Sequence, residues 1–226
     1  MYRNQIVLTG IVQHDPRLFD SQTDLLSTHI RPILPKKALP SEMKIHICIG
    51  QCKIVFQSSL THIAARIAQD DIILVSGYLV TGYIRDSQIT TNKIVANYAA
   101  IVDKDSFSES DHRNQIEISG LLSSDPVEIF KPFPAWSVPL SPHLSPELRA
   151  PGIHPFKRYQ VVFSERIQEK ARQFTKSDPV LISGHFIPSC LCHQRTSINR
   201  IIANSMTRIV KQQPREQAGL LPSSTN

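Results

Sequence analysis

The chain has 226 residues, 41% of them hydrophobic and 7% aromatic, with a formal charge of +6. That suffices for two ordinary cores of about 100 residues each and leans mildly toward polyanionic partners. No cationic-then-apolar leader and no apolar run near the ~18 residues of a membrane helix occur, so a soluble, cytoplasmic protein is expected.

The first element is "NQIVLTGIVQHDP" (4–16), with Ile6, Leu8 and Val12 on one face and Val7 and Ile11 on the other, as in a barrel strand. A weaker extended stretch, "THIRPIL", ends at Pro35. In "KIHICIGQCKIVF", Ile45, Ile47 and Ile49 alternate with Lys44, His46 and Cys48, which predicts a third strand. Leu60, Ile63, Ala64 and Ile67 then recur at helical spacing, with Ser58 or Ser59 placed to cap. Two strands, 72–84 and 91–102, complete the unit, and Gly77 marks a bend.

The same succession then returns. "NQIEISGLLSSDP" (114–126) repeats the opening at an offset of 110 with six of thirteen positions identical. "QVVF" (160–163) repeats "KIVF" (53–56), "DPVLISGHF" (178–186) repeats "DIILVSGYL" (71–79), and "NRIIAN" (199–204) repeats "NKIVAN" (92–97), each at 107. A second helix is expected around Ile167, Ala171 and Phe174, and final strands over 179–191 and 198–210, bent at Gly184. Two copies at this period are tandem domains and not a solenoid. Three strands, a helix and two strands in about 100 residues is the order of a five-stranded Greek-key OB-fold. The expected architecture is therefore mainly β: OB barrels over 2–104 and 112–211, each with one short helix. A disordered tail over 212–226 is expected to follow. The second copy carries a Pro-rich loop, 131–157, expected to be extended and stiff.

The blocks "NQIVLTGIVQHDP", "IILVSGYL" and "NKIVANYAAIV" resemble bacterial single-stranded-DNA-binding proteins and their relative, primosomal replication protein N. "ISGHFIPSCLCHQ" looks closer to the latter. The resemblance covers most of 2–104 and recurs more faintly over 113–211. It implies single-stranded DNA binding without catalysis, with replication or primosome proteins as partners, by a monomeric pseudo-dimer or a homodimer. Two departures stand out. The end, "QQPREQAGLLPSSTN", lacks the family's acidic, apolar tip, which points to an accessory or mobile-element relative. Where the family starts its third strand with tryptophan, this chain has Gly50 and Lys157. Base stacking contributes ~1–3 kcal/mol per base, so binding should lean on phosphate contacts and be weaker or strongly salt-sensitive.

The resemblance also puts Phe56 and Phe163 at a DNA-stacking position, while strand parity leaves ligand face and core both open. Tyr78 is a stacking candidate or a packed barrel-end tyrosine. Lys44, Lys53, Arg85 and Lys93 in copy one, with Lys157, Arg158, Arg195 and Arg200 in copy two, lie on or beside strands three to five. That is where an OB barrel grips a strand, although any one of them can be a solvated charge. Trp136, the only tryptophan, either stacks on a base or anchors the Pro-rich loop. Between Arg149 and Lys211 eleven Lys or Arg stand against three acids, so copy two is expected to be the principal DNA-binding half. Four cysteines are few for a disulfide scaffold, and "CLCH" spaces its pair too tightly for the usual zinc motif, so no metal is expected. Scattered histidines, no P-loop and no paired carboxylates give no enzyme and no cofactor. A protein-interaction scaffold and single-stranded RNA binding remain the alternatives.

Overall fold

Each repeated opening folds as the strand around which a barrel closes. The computed structural model describes residues 3–20, 23–36, 49–84, 89–129, 135–143, 159–163, 165–191 and 196–209. Copy one contains β1 (Asn4–Val12), β2 (Arg17–Asp20), β3 (Thr23–Pro32), β4 (Cys52–Phe56), β5 (Ile72–Ile84) and β6 (Ile89–Val102). Copy two contains β7 (Asn114–Leu122), β8 (Val127–Ile129), β9 (Ala135–Pro142), β10 (Tyr159–Phe163), β11 (Pro179–Leu191) and β12 (Thr196–Arg208). The hydrogen-bonded order β3-β4-β6-β5-β1 is closed by a β1–β3 pairing, and β9-β10-β12-β11-β7 by a β7–β9 pairing. These are two OB barrels. The short β2 and β8 extend β3 and β9 as hairpins.

The alternation read from the opening holds. Ile6, Leu8 and Val12 are buried, while Val7 and Ile11 are only partly so. The duplicated Asp of "HDP" and "SDP" also has one task in both copies. Asp15 Oδ1 accepts the Gln69 backbone N–H at 2.7 Å, and Asp125 Oδ1 accepts that of Lys176 at 2.7 Å. Each bond ties the opening to the turn after the helix, where Asp70 and Ser177 adopt φ of 67° and 70°. In the middle of β5 and β11, the register shifts between Ser76 and Gly77 and between Ser183 and Gly184. These bulges bend the long strands around the barrel corner, as the glycines predicted.

The two barrels are joined by β1 and β7, which run antiparallel with Asn4 opposite Ile118, Ile6 opposite Ile116 and Leu8 opposite Asn114. Under the 110-residue offset Asn4 corresponds to Asn114 and Leu8 to Ile118, so each pairing maps onto its mirror. A local twofold passes between Ile6 and Ile116, both 1% exposed. The flanks obey it too. Arg3 N–H donates to Ser119 Oγ at 2.9 Å, and Arg113 N–H donates to Thr9 Oγ1 at 3.0 Å. Such a contact is isologous, the geometry of a symmetric dimer built within one chain.

The helices are short, as expected: a 3₁₀ turn, Ser58–Leu60, runs into Thr61–Ala64, and Glu165–Ile167 runs into Gln168–Ala171. Two other expectations are corrected. No serine side chain caps the first helix; Thr61 Oγ1 instead donates to the Ser58 carbonyl at 2.8 Å. The stretch expected to be a Pro-rich loop holds β9, paired with β7, β8 and β10. A proline removes only its own donor, and the Pro139 carbonyl still accepts the Ser123 N–H at 2.8 Å. The tail from 212 and most of that Pro-rich stretch lie outside the described residues.

Candidate nucleic-acid interface

In β4, Cys52, Ile54 and Phe56 alternate into the barrel at 3%, 0% and 1% exposure, leaving Lys53 on the outer surface. β4 and β6 pair in parallel with Lys53 beside Lys93, so two ammonium stems leave the same face in adjacent register. Across them lies Phe19 of β2. Lys53 Nζ is 4.7 Å and Lys93 Nζ 4.6 Å from its ring centroid. Like charges set side by side across strands cost stability, and an aromatic face offsets part of that by attracting both cations.

His29 of β3 is the register partner of Lys53, and His14 Nε2 sits 2.9 Å from His29 Nδ1. Burial, His14 and Lys53 together hold the His29 pKa below the ordinary histidine value. Tyr78 pairs with Val95 on the same outer surface and is partly exposed. The face thus joins Lys53, Lys93 and Tyr78, which the sequence suggested, to Phe19, His14 and His29, which it did not.

Phe56 and Phe163 are corrected: both are 1% exposed and packed in the barrel cores, so neither offers a ring to a base. The cause is parity, since Phe56 shares its phase with Cys52 and Ile54, and burying a phenylalanine contributes roughly 1.5–3 kcal/mol. Trp136 lies on β9, packs against the core and has the Arg172 guanidinium 4.7 Å from its ring. Arg200, opposite Gln160 on β10 and Ile187 on β11, is half-buried, and that burial lowers its pKa. Lys44, Arg85, Lys157, Arg158 and Arg195 lie outside the described residues, as do Cys192 and His193 of "CLCH". Cys52 is a core residue whose thiol burial pushes up to about 12. Among the described residues no helix is long and apolar enough to cross a membrane.

A pair of closed five-stranded barrels sharing one strand-to-strand seam defines a tandem OB-fold protein. Its fold is similar to that of the single-stranded DNA binding protein from Thermus aquaticus. The wild-type structure of that protein superposes with a TM-score of 0.66 at 16% identity, covering 96% of each chain. A deletion mutant of it gives 0.66 at 16%, covering 95% of this chain and 98% of the other. No protein-family profile matches the sequence, and no curated protein matches it significantly.

Proposed function

We propose that the protein binds single-stranded DNA without sequence preference and without catalysis, in DNA replication, replication restart or mobile-element maintenance. The observation that carries this reading is a two-barrel fold shared along almost the whole chain with a single-stranded DNA binding protein. The outer face with Lys53, Lys93 and Tyr78 supports it, because phosphate contacts dominate affinity for nucleic acid. The working units are the halves read from the sequence, 2–104 and 112–211. They act in the cytoplasm as a monomeric pseudo-dimer or as a homodimer, with replication or primosome proteins as partners.

The test is fluorescence anisotropy with labelled dT and rU oligomers across a salt series. Binding of dT with a steep negative dependence on salt is the expected result. Tighter binding of rU would move the ligand to single-stranded RNA. No binding of either at low salt would replace this reading with a protein-interaction scaffold.

A further inference from the structure

The two copies share a fold but not a surface. Under the repeat offsets Phe19, Lys53 and Lys93 of copy one become Ile129, Gln160 and Arg200 in copy two. Where copy one sets an aromatic ring beneath two ammonium groups, these three positions of copy two carry one cation and no aromatic residue. Ile129 packs against an apolar patch of Ala135, Val162, Ile187 and Ile202, and Leu34 of copy one lies on the same patch. One face of copy two has become a packing surface.

We infer that the base-contacting site lies in copy one, with Phe19 as its stacking residue and Lys53 and Lys93 holding the flanking phosphates. This reverses the expectation drawn from net basicity, and it rests on the single-stranded nucleic-acid reading above. Three observations carry it. Phe19 stays partly exposed in a chain that buries Phe56, Phe163 and Phe186 at 1% or less. It also sits where the β2–β3 register breaks, between Leu18 and Asp20. Such an irregularity re-aims a side chain out of the ladder. Finally, the two lysines occupy paired positions on neighbouring strands, which an anion between them relieves. An aromatic face with cations within 5 Å matches the chemistry of a single strand, whose bases stack and whose phosphates alternate with them.

The experiment titrates labelled dT into the full chain and its variants, after thermal melts establish that each is folded. Phe19→Leu keeps the bulk and loses the ring. It should weaken binding about 5- to 150-fold, the stacking contribution of one base expressed as affinity. Its salt slope should stay that of the parent, because stacking carries no charge. Ile129→Ala should stay within about twofold of the parent. In a Trp136→Phe background, Phe19→Trp should bind dT and show quenching of the new tryptophan, a readout that survives if Phe19→Leu is unstable. Parent binding with unchanged affinity in Phe19→Leu, or an unquenched tryptophan, overturns this assignment alone. Failure of the parent to bind dT or rU overturns it together with the proposed function.

Discussion

The Asn114 side chain holds the backbone of Phe186 by both of its groups. Nδ2 donates to the Phe186 carbonyl at 2.8 Å, and Oδ1 accepts the Phe186 N–H at 2.8 Å. Asn4 grips Leu79 the same way, at 2.8 and 3.0 Å. The first residue of each repeated opening therefore extends the sheet beyond the strand's own backbone pairing. Asn114 is 0% exposed, so Asn114→Ala strands two buried backbone groups. Each orphaned group costs about 1–3 kcal/mol. A loss of about 2–5 kcal/mol in urea unfolding is expected, and less for Asn4→Ala, where water reaches part of the site. Equal, near-zero losses would show that the clamps are incidental.

Gly184 is constrained by close approach. A Cβ there would lie 2.1 Å from the Ile202 carbonyl oxygen, and one at Gly77 would lie 2.1 Å from that of Val95. Both obstacles are backbone, so the bulge would have to open. Gly184→Ala and Gly77→Ala should each cost more than about 3 kcal/mol or prevent folding. Circular dichroism melts of the purified variants check this, and wild-type melting would contradict the bulge geometry.

Ser177 illustrates the opposite case. Its φ of 70° places an L-residue where the left-handed conformation costs roughly 1–2 kcal/mol, against about 0.5–1 kcal/mol of added chain entropy for glycine. Ser177→Gly should be neutral to about 1 kcal/mol stabilising. Asp70→Gly should gain less, since aspartate tolerates this region better. A destabilised Ser177→Gly in denaturant titrations would count against the positive φ.

His29 gives the fold a pH dependence of known sign. Its pKa in the folded protein lies below the unfolded value of about 6.5, chiefly through burial and then through His14 and Lys53. The folded state thus binds fewer protons, and stability rises with pH across the window between the two values. The contribution is complete above about 6.5 and is lost as pH falls through the folded value. Urea midpoints measured downward from neutral pH should therefore decline, and His29→Gln should flatten the decline. A decline unchanged in that variant would assign it to other groups.

Much of this architecture was legible because duplication doubles every signal. The opening, the bend glycines and the last strands reappear at fixed offsets, so each strand was read twice. What failed has physical causes. Ser27, Pro32 and Ser137, Pro142 continue the 110-residue register, yet proline density reads as loop although a strand loses only one donor per proline. The faces of Phe56 and Phe163 could not be counted from the isoleucines at 45–49, because Gly50 and Gln51 are not strand residues and alternation does not carry from Ile49 into β4. Phe19 escaped because β2 has only four residues, too few for alternation to register. Its counterpart Ile129 carries the missing clue, since an apolar side chain recurs there in both copies.

The paired lysines supply the final prediction. Lys53 and Lys93 face one ring from adjacent register positions, so a phosphate held there releases counterions that a neutral variant would not. Each lost phosphate contact removes about 0.7 from the log–log salt slope for a single strand. The double substitution Lys53→Gln with Lys93→Gln should therefore lower the slope by up to about 1.4 and weaken binding most at low salt. Removing like charges from neighbouring strands should leave stability equal or slightly higher, which separates the effect from unfolding. The single substitution Arg200→Gln in copy two should change the slope by no more than about 0.7. Anisotropy titrations of dT over the same salt range, with melts run in parallel, measure both quantities. A double variant with the parent's slope would remove the phosphates from this face. A larger change from Arg200→Gln than from the lysine pair would return the principal binding role to copy two.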